Sequence, residues 1–133
     1  MGDKSFRLIE YIVDGLLEDD FKAFIKKYAG LSLEEDYFVD SINQKSWIVA
    51  AYDDFTNMYE LTKEFKEKGW GLKVPFAYDQ GGWHFCLSFD HDTYGKVIVN
   101  RWTDHPPQEQ FLVIANSFDE FINGLKKRPN ELL

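Results

Sequence analysis

Residues 74–89 read VPFAYDQGGWHFCLSF, two apolar runs around an Asp and a pair of glycines. In the second run Trp83, Phe85, Leu87 and Phe89 fall on one face of an extended chain, and His84, Cys86 and Ser88 on the other. Asp79 to Gly82 supply residues that tolerate the positive φ of a tight turn. A phosphate-binding loop would instead feed its glycines into a helix and follow them with Lys, Ser or Thr, whereas a strand pattern follows here. The stretch therefore predicts an antiparallel hairpin, and its glycines need no catalytic explanation.

Outward from this hairpin the same alternation recurs. LKVPFAYD, WHFCLSF, KVIVNRW and EQFLVIA are four strand-like runs separated by Gly, Asp and Pro turns. Upstream, Tyr37/Val39 alternates with Phe38/Asp40, and Trp47/Val49/Ala51 with Ile48/Ala50/Tyr52, across the polar turn SINQKS. Helical spacing appears on both sides of these strands. Phe21, Phe24, Ile25 and Tyr28 lie at i, i+3, i+4, i+7, with acids at Glu18 to Asp20, Lys26 and Lys27 at the far end and Gly30 beyond. Phe6, Ile9, Val13 and Leu16 predict an earlier helical stripe over residues 5–17, weakened or ended by Gly15. Met58, Leu61, Thr62 and Phe65 predict a third helix over 55–67, closed by Gly69. Ser117 and Glu120 stand at capping-box spacing before Phe118, Phe121, Ile122 and Leu125, a last helix ending near Gly124. Residues 128–133, RPNELL, read as a frayed tail. Short turns between consecutive strands require antiparallel pairing, so the expectation is one α+β domain over residues 1–133. About six strands form a meander sheet, with helices at the N-terminus, middle and C-terminus packed on it.

Charge narrows the partners. Against 15 Lys plus Arg stand 23 Asp plus Glu, a formal net charge of −8. Such a surface repels phosphate backbones and suits a basic protein partner. The longest apolar runs, such as WIVAAY and FLVIA, fall far short of the roughly 20 residues a membrane helix needs. A single cysteine permits no internal disulfide. The composition thus predicts a cytoplasmic protein.

Three constellations have the residue types of chemistry. His84 and Cys86 share a strand face, but neighbours two apart on a strand are held about 7 Å from each other, too far for a nucleophile and its base. Asp90, His91 and Asp92 with His84 and His105 have the donor types of a metal site, yet DHDTYG sits where turn residues are expected. Acids gather at Glu18 to Asp20, Glu34 to Asp36, Asp53 to Asp54 and Asp90 to Asp92, all at element ends or turns that a partner can reach.

Taken in order, KVPFAYDQGGWHFCLSF, YGKVIVNRW and ANSFDEFINGL resemble the SUKH superfamily of Smi/Knr and Syd proteins, over roughly residues 18–125. The matching positions are Pro75, Phe76, Ala77, Asp79, Gly81 and Gly82 in the hairpin, Phe85 to Leu87, and Tyr94, Gly95 and Val97. Ser117, Phe118, Glu120 and Phe121 match at the closing helix. Departures are Leu17-Glu18 where the early helix often opens with Leu-Pro, and Ala29-Gly30 where Asn-Gly often ends it. The resemblance implies a SUKH fold with no enzymatic activity, and no metal or cofactor is expected. It also implies a role as an immunity protein against a toxin domain, often a nuclease, of a bacterial polymorphic or contact-dependent system. On that reading the toxin-binding face is expected to include Glu34, Glu35, Asp36, Asp53, Asp54, Asp90 and Asp92, on a monomer or weak dimer. The alternatives are a cell-wall or signalling adaptor of the Smi/Knr type, and a small hydrolase using His84/Cys86 or the Asp90 to Asp92 loop.

Overall fold

The computed structural model describes residues 3–130. The hairpin predicted at 74–89 is its centre. β4 (Lys73–Tyr78) pairs antiparallel with β5 (His84–Ser88), with Val74 opposite Leu87 and Tyr78 opposite His84. Asp79 builds the turn: its Oδ1 accepts from the Gly81 and Trp83 amides, both at 2.9 Å, and Gly82 adopts φ +89°. β6 (Val97–Asn100) and β7 (Phe111–Ala115) continue the meander, and β3 (Ala51–Tyr52) flanks β4. The result is a five-stranded antiparallel sheet in the order β3-β4-β5-β6-β7.

A second sheet stands beside it. β1 (Glu35–Asp40) pairs with β2 (Lys45–Ile48) on one side and with the short β8 (Lys126–Lys127) on the other. The apolar run at 47–52 therefore divides between the two sheets. The Val49 amide donates to the Asp36 carbonyl, and the very next amide, Ala50, donates to the Tyr78 carbonyl of β4.

Helices supply the rest of the core. α1 (Asp3–Val13), α2 (Asp19–Tyr28), α3 (Phe55–Glu67) and α4 (Phe118–Gly124) lie where the spacing places them. α3 is capped by Asp54, which accepts from the Asn57 amide, and α4 by Ser117, which accepts from the Glu120 amide. Glu120 reaches back to the Asn116 amide, one residue before the usual capping-box donor. Phe6, Ile9 and Val13 of α1 and Phe21 and Ile25 of α2 join Phe38, Phe76, Phe85, Leu87, Val97, Val99 and Phe121 in one cluster. Phe21, Phe76, Phe118 and Phe121 meet edge-on, with centroid separations of 4.8–5.9 Å along Phe21–Phe118, Phe21–Phe76 and Phe76–Phe121. On the opposite face of the five-stranded sheet Phe65, Trp70, Trp102 and Phe111 form a smaller aromatic cluster.

Two expectations change. Leu16 is 79 % exposed and Leu17 is buried in its place, because Asp14 takes φ +51° and shifts the phase of the chain after α1. The end of the chain is not simply frayed, since Arg128 makes a two-pronged contact with Asp36, the shortest bond being 2.8 Å. Residues 131–133 of that expected tail lie outside the described residues.

Candidate functional site

The seven acids expected to form a binding face meet different fates in the fold. Asp36 is buried in β1 beneath Arg128, and Asp53 lies inside the protein, its side chain fully covered. Asp53 Oδ2 sits 3.3 Å from His84 Nδ1, so the histidine's neighbour is a carboxylate from the β3–α3 junction rather than Cys86. Asp54 is spent on capping α3, and Asp90 is pinned by the Leu72 amide at 2.8 Å and by Lys73 Nζ at 2.5 Å. Gly71 explains how that pin fits: a Cβ there would come within 2.6 Å of Asp90 Oδ2. Glu34, Glu35 and Asp92 remain exposed, and Glu34 pairs loosely with Lys127 at 3.5 Å.

The nucleophile-and-base geometry is likewise absent at the strand face. Cys86 is fully buried, its Sγ 3.8 Å from the His84 carbonyl, and burial pushes the thiol well above the ordinary range. Among the described residues no three His, Cys, Asp or Glu side chains gather as a metal site would require. Three of the four tryptophans are engaged by packing or hydrogen bonds. Trp47 is buried, Trp83 donates to Asp104 Oδ2 at 2.6 Å, and Trp102 donates to the Gly82 carbonyl at 2.7 Å.

Concave surface lies instead at several places, two of which hold aspartates. One is an open groove across the outer face of the five-stranded sheet, where Trp70, Phe111, Ile98 and Val113 meet Lys73, Asp90, His91 and Asp92. The other is a narrower cleft of about 110 Å³ between the start of α2, the start of α4 and the β5–β6 connection. Its floor is apolar, formed by Phe21, Leu87, Phe89 and Phe118, with Leu16 and Tyr94 as walls and Glu18, Asp20 and Asp119 on the rim. Glu18 precedes α2 but makes no side-chain cap bond, so its carboxylate is not consumed by the helix. The sequence marks Glu18 to Asp20 only as one acidic patch among four and does not mark Asp119. No one-dimensional signal brings residues 18–20, 94–95 and 117–119 together.

A family model described as SUKH_6: SMI1-KNR4 cell-wall matches residues 3–122. The chain belongs to this SUKH family. In the fold, the SUKH pattern marks structural positions: Pro75 and Phe76 are buried in β4, Asp79, Gly81 and Gly82 make the turn, and Gly95 takes φ +80° before β6. Gly95, Ser117 and Phe118 also line the narrower cleft. A curated relative is the SPbeta prophage-derived uncharacterized protein YokK of Bacillus subtilis (strain 168). It is 26 % identical over 153 aligned residues, covering 97 % of this chain and 77 % of YokK. No helix among the described residues is long and apolar enough to cross a membrane.

Proposed function

We propose that this SUKH protein is a cytoplasmic immunity protein, a binding protein without catalysis of its own that neutralises a basic toxin domain, in the first instance a nuclease. The observation that carries this reading is the net charge of −8 together with exposed carboxylates that meet no partner among the described residues: Glu18, Asp20, Glu35, Asp92 and Asp119. Unpaired surface acids steer a basic partner into encounter and oppose nucleic acid, which is what masking a nuclease demands. Burial of the Cys86 thiol agrees with a role in binding rather than covalent catalysis. The prophage origin in the name of YokK also supports it, since carriage on a mobile element suits a gene that travels with a toxin.

The test is co-purification with the C-terminal domain of the protein encoded immediately upstream, repeated across a salt series and paired with an assay of that domain's toxicity. A complex that weakens as salt rises and silences the toxin is the expected result. Absence of a complex at low salt, or a complex that leaves the toxin active, removes the proposal. In that case the words "cell-wall" in the family description favour the adaptor reading.

A further inference from the structure

We propose that the cleft between α2, α4 and the β5–β6 connection is an anchor site for one arginine side chain of a partner protein. The inference rests on the immunity reading for the partner's identity and on the cleft itself for the chemistry.

An apolar cleft open to water is an unfinished surface. Its volume, about 110 Å³, is room for several water molecules, and so for one long side chain in their place but not for a helix. Phe89 and Phe118 form part of the floor, and Tyr94 stands edge-on to Phe89 at 5.4 Å while remaining 59 % exposed. These surfaces accept an aliphatic stem and the flat face of a guanidinium.

The rim sets the sign of the occupant's charge. Glu18, Asp20 and Asp119 come from the starts of two helices about a hundred residues apart in sequence, and none of them meets a hydrogen-bond donor or cation among the described residues. Among the described residues no lysine, arginine or histidine lines the cleft, and Lys22 of α2 is already engaged with Glu10 at 3.6 Å. Three carboxylates around a low-dielectric floor concentrate negative potential there. Arginine answers both demands at once, with an apolar stem for the floor and a planar fork of five donors for the rim. In the sheet-face groove, by contrast, Lys73 already neutralises Asp90.

The test uses the full chain and N-acetyl-arginine amide, with N-acetyl-citrulline amide as its neutral isostere, followed through backbone amide NMR shifts. Arginine should give saturable shifts at Tyr94, Gly95, Phe118 and Asp119, and citrulline a response weaker by about fivefold or more. The triple variant Glu18→Gln, Asp20→Asn, Asp119→Asn, whose changes are all on exposed side chains, should lose the response while its remaining spectrum is unchanged. Shifts spread over Asp92 and the sheet-face groove, equal responses to the two probes, an unaffected triple variant, or no saturable shift at all would each overturn the proposal. A second arm separates it from the immunity reading. If the wild-type chain binds the neighbouring toxin domain and the triple variant binds within about twofold of it, the anchor site is wrong and immunity stands. A weakening of about tenfold or more supports the anchor. If the wild type binds no toxin domain, the immunity reading fails, and the arginine titration still judges the cleft.

Discussion

Asp40 is the most heavily used carboxylate in the described protein, and its removal offers a calculable test of the fold. It is 0 % exposed at the end of β1 and accepts four hydrogen bonds: from the Ile42 and Asn43 amides at 2.8 and 2.9 Å, from Asn43 Nδ2 at 2.7 Å and from Trp47 Nε1 at 3.3 Å. In Asp40→Ala the two turn amides lie close enough to solvent for water to replace the carboxylate, a net loss of about 0.5–1 kcal/mol each. Asn43 Nδ2 keeps its bond to the Val113 carbonyl, so its loss is small. Trp47 is buried, and its orphaned indole N–H costs about 1–3 kcal/mol. The sum is about 3 kcal/mol, or a fall in Tm of roughly 10 °C for a domain of this size. Urea unfolding followed by tryptophan fluorescence and circular dichroism measures it. Pairing the change with Trp47→Phe should reveal a coupling of about 1 kcal/mol. A loss below about 1 kcal/mol, or strict additivity with Trp47→Phe, would refute the view that this carboxylate organises the β1–β2 turn.

Other outcomes test other joints. Gly124→Val should destabilise by about 1–3 kcal/mol, because a Cβ at Gly124 would stand 2.8 Å from the Phe38 ring, whereas Asn123→Ala next to it should be neutral in the same thermal melt. Burial raises both the Cys86 thiol and the Tyr52 hydroxyl, so the unfolded chain sheds these protons first and stability should fall as pH rises past the ordinary thiol value, about 8.5. Denaturant midpoints across that range should show a later onset of the fall in Cys86→Ala; identical onsets would contradict the burial argument. Arg128→Gln should speed amide hydrogen exchange at Lys126 and Lys127 and leave β4 to β7 protected, and unchanged exchange there would show that the contact with Asp36 does not hold β8 in place.

Periodicity made most of the fold legible. The 3.6-residue stripe of Phe21, Phe24, Ile25 and Tyr28 and the two-residue alternation through Phe85 and Leu87 each select one face, and the core lies on those faces. What stayed hidden depends on partners distant in sequence. The alternation at 47–52 looks the same whichever sheet a residue joins, so the division between β2 and β3 leaves no local trace. Lys126 and Lys127 carry no strand signal and become a strand only because β1 offers an unpaired edge. Leu16 and Leu17 are equivalent to a helical wheel until Asp14 turns the backbone. The acids show the limit for the site. Charge type is written in the sequence, but whether a carboxylate is a cap like Asp54, a clasp like Asp36 or a solvated group like Asp92 is decided by what folds against it.

The passage of one strand between two sheets has a mechanical consequence. Residues 45–53 act as a single tie beam: β2 is bonded to β1, the Val49 amide holds the Asp36 carbonyl, and the Ala50 and Asp53 amides hold the Tyr78 and Phe76 carbonyls of β4. At the other end Asn43 hooks the β1–β2 turn to the Val113 carbonyl of β7. A load applied to either sheet is shared by the other, and neither can peel away while the beam is intact. The protein should therefore yield all at once under force, with one rupture event where two loosely joined sheets would show two.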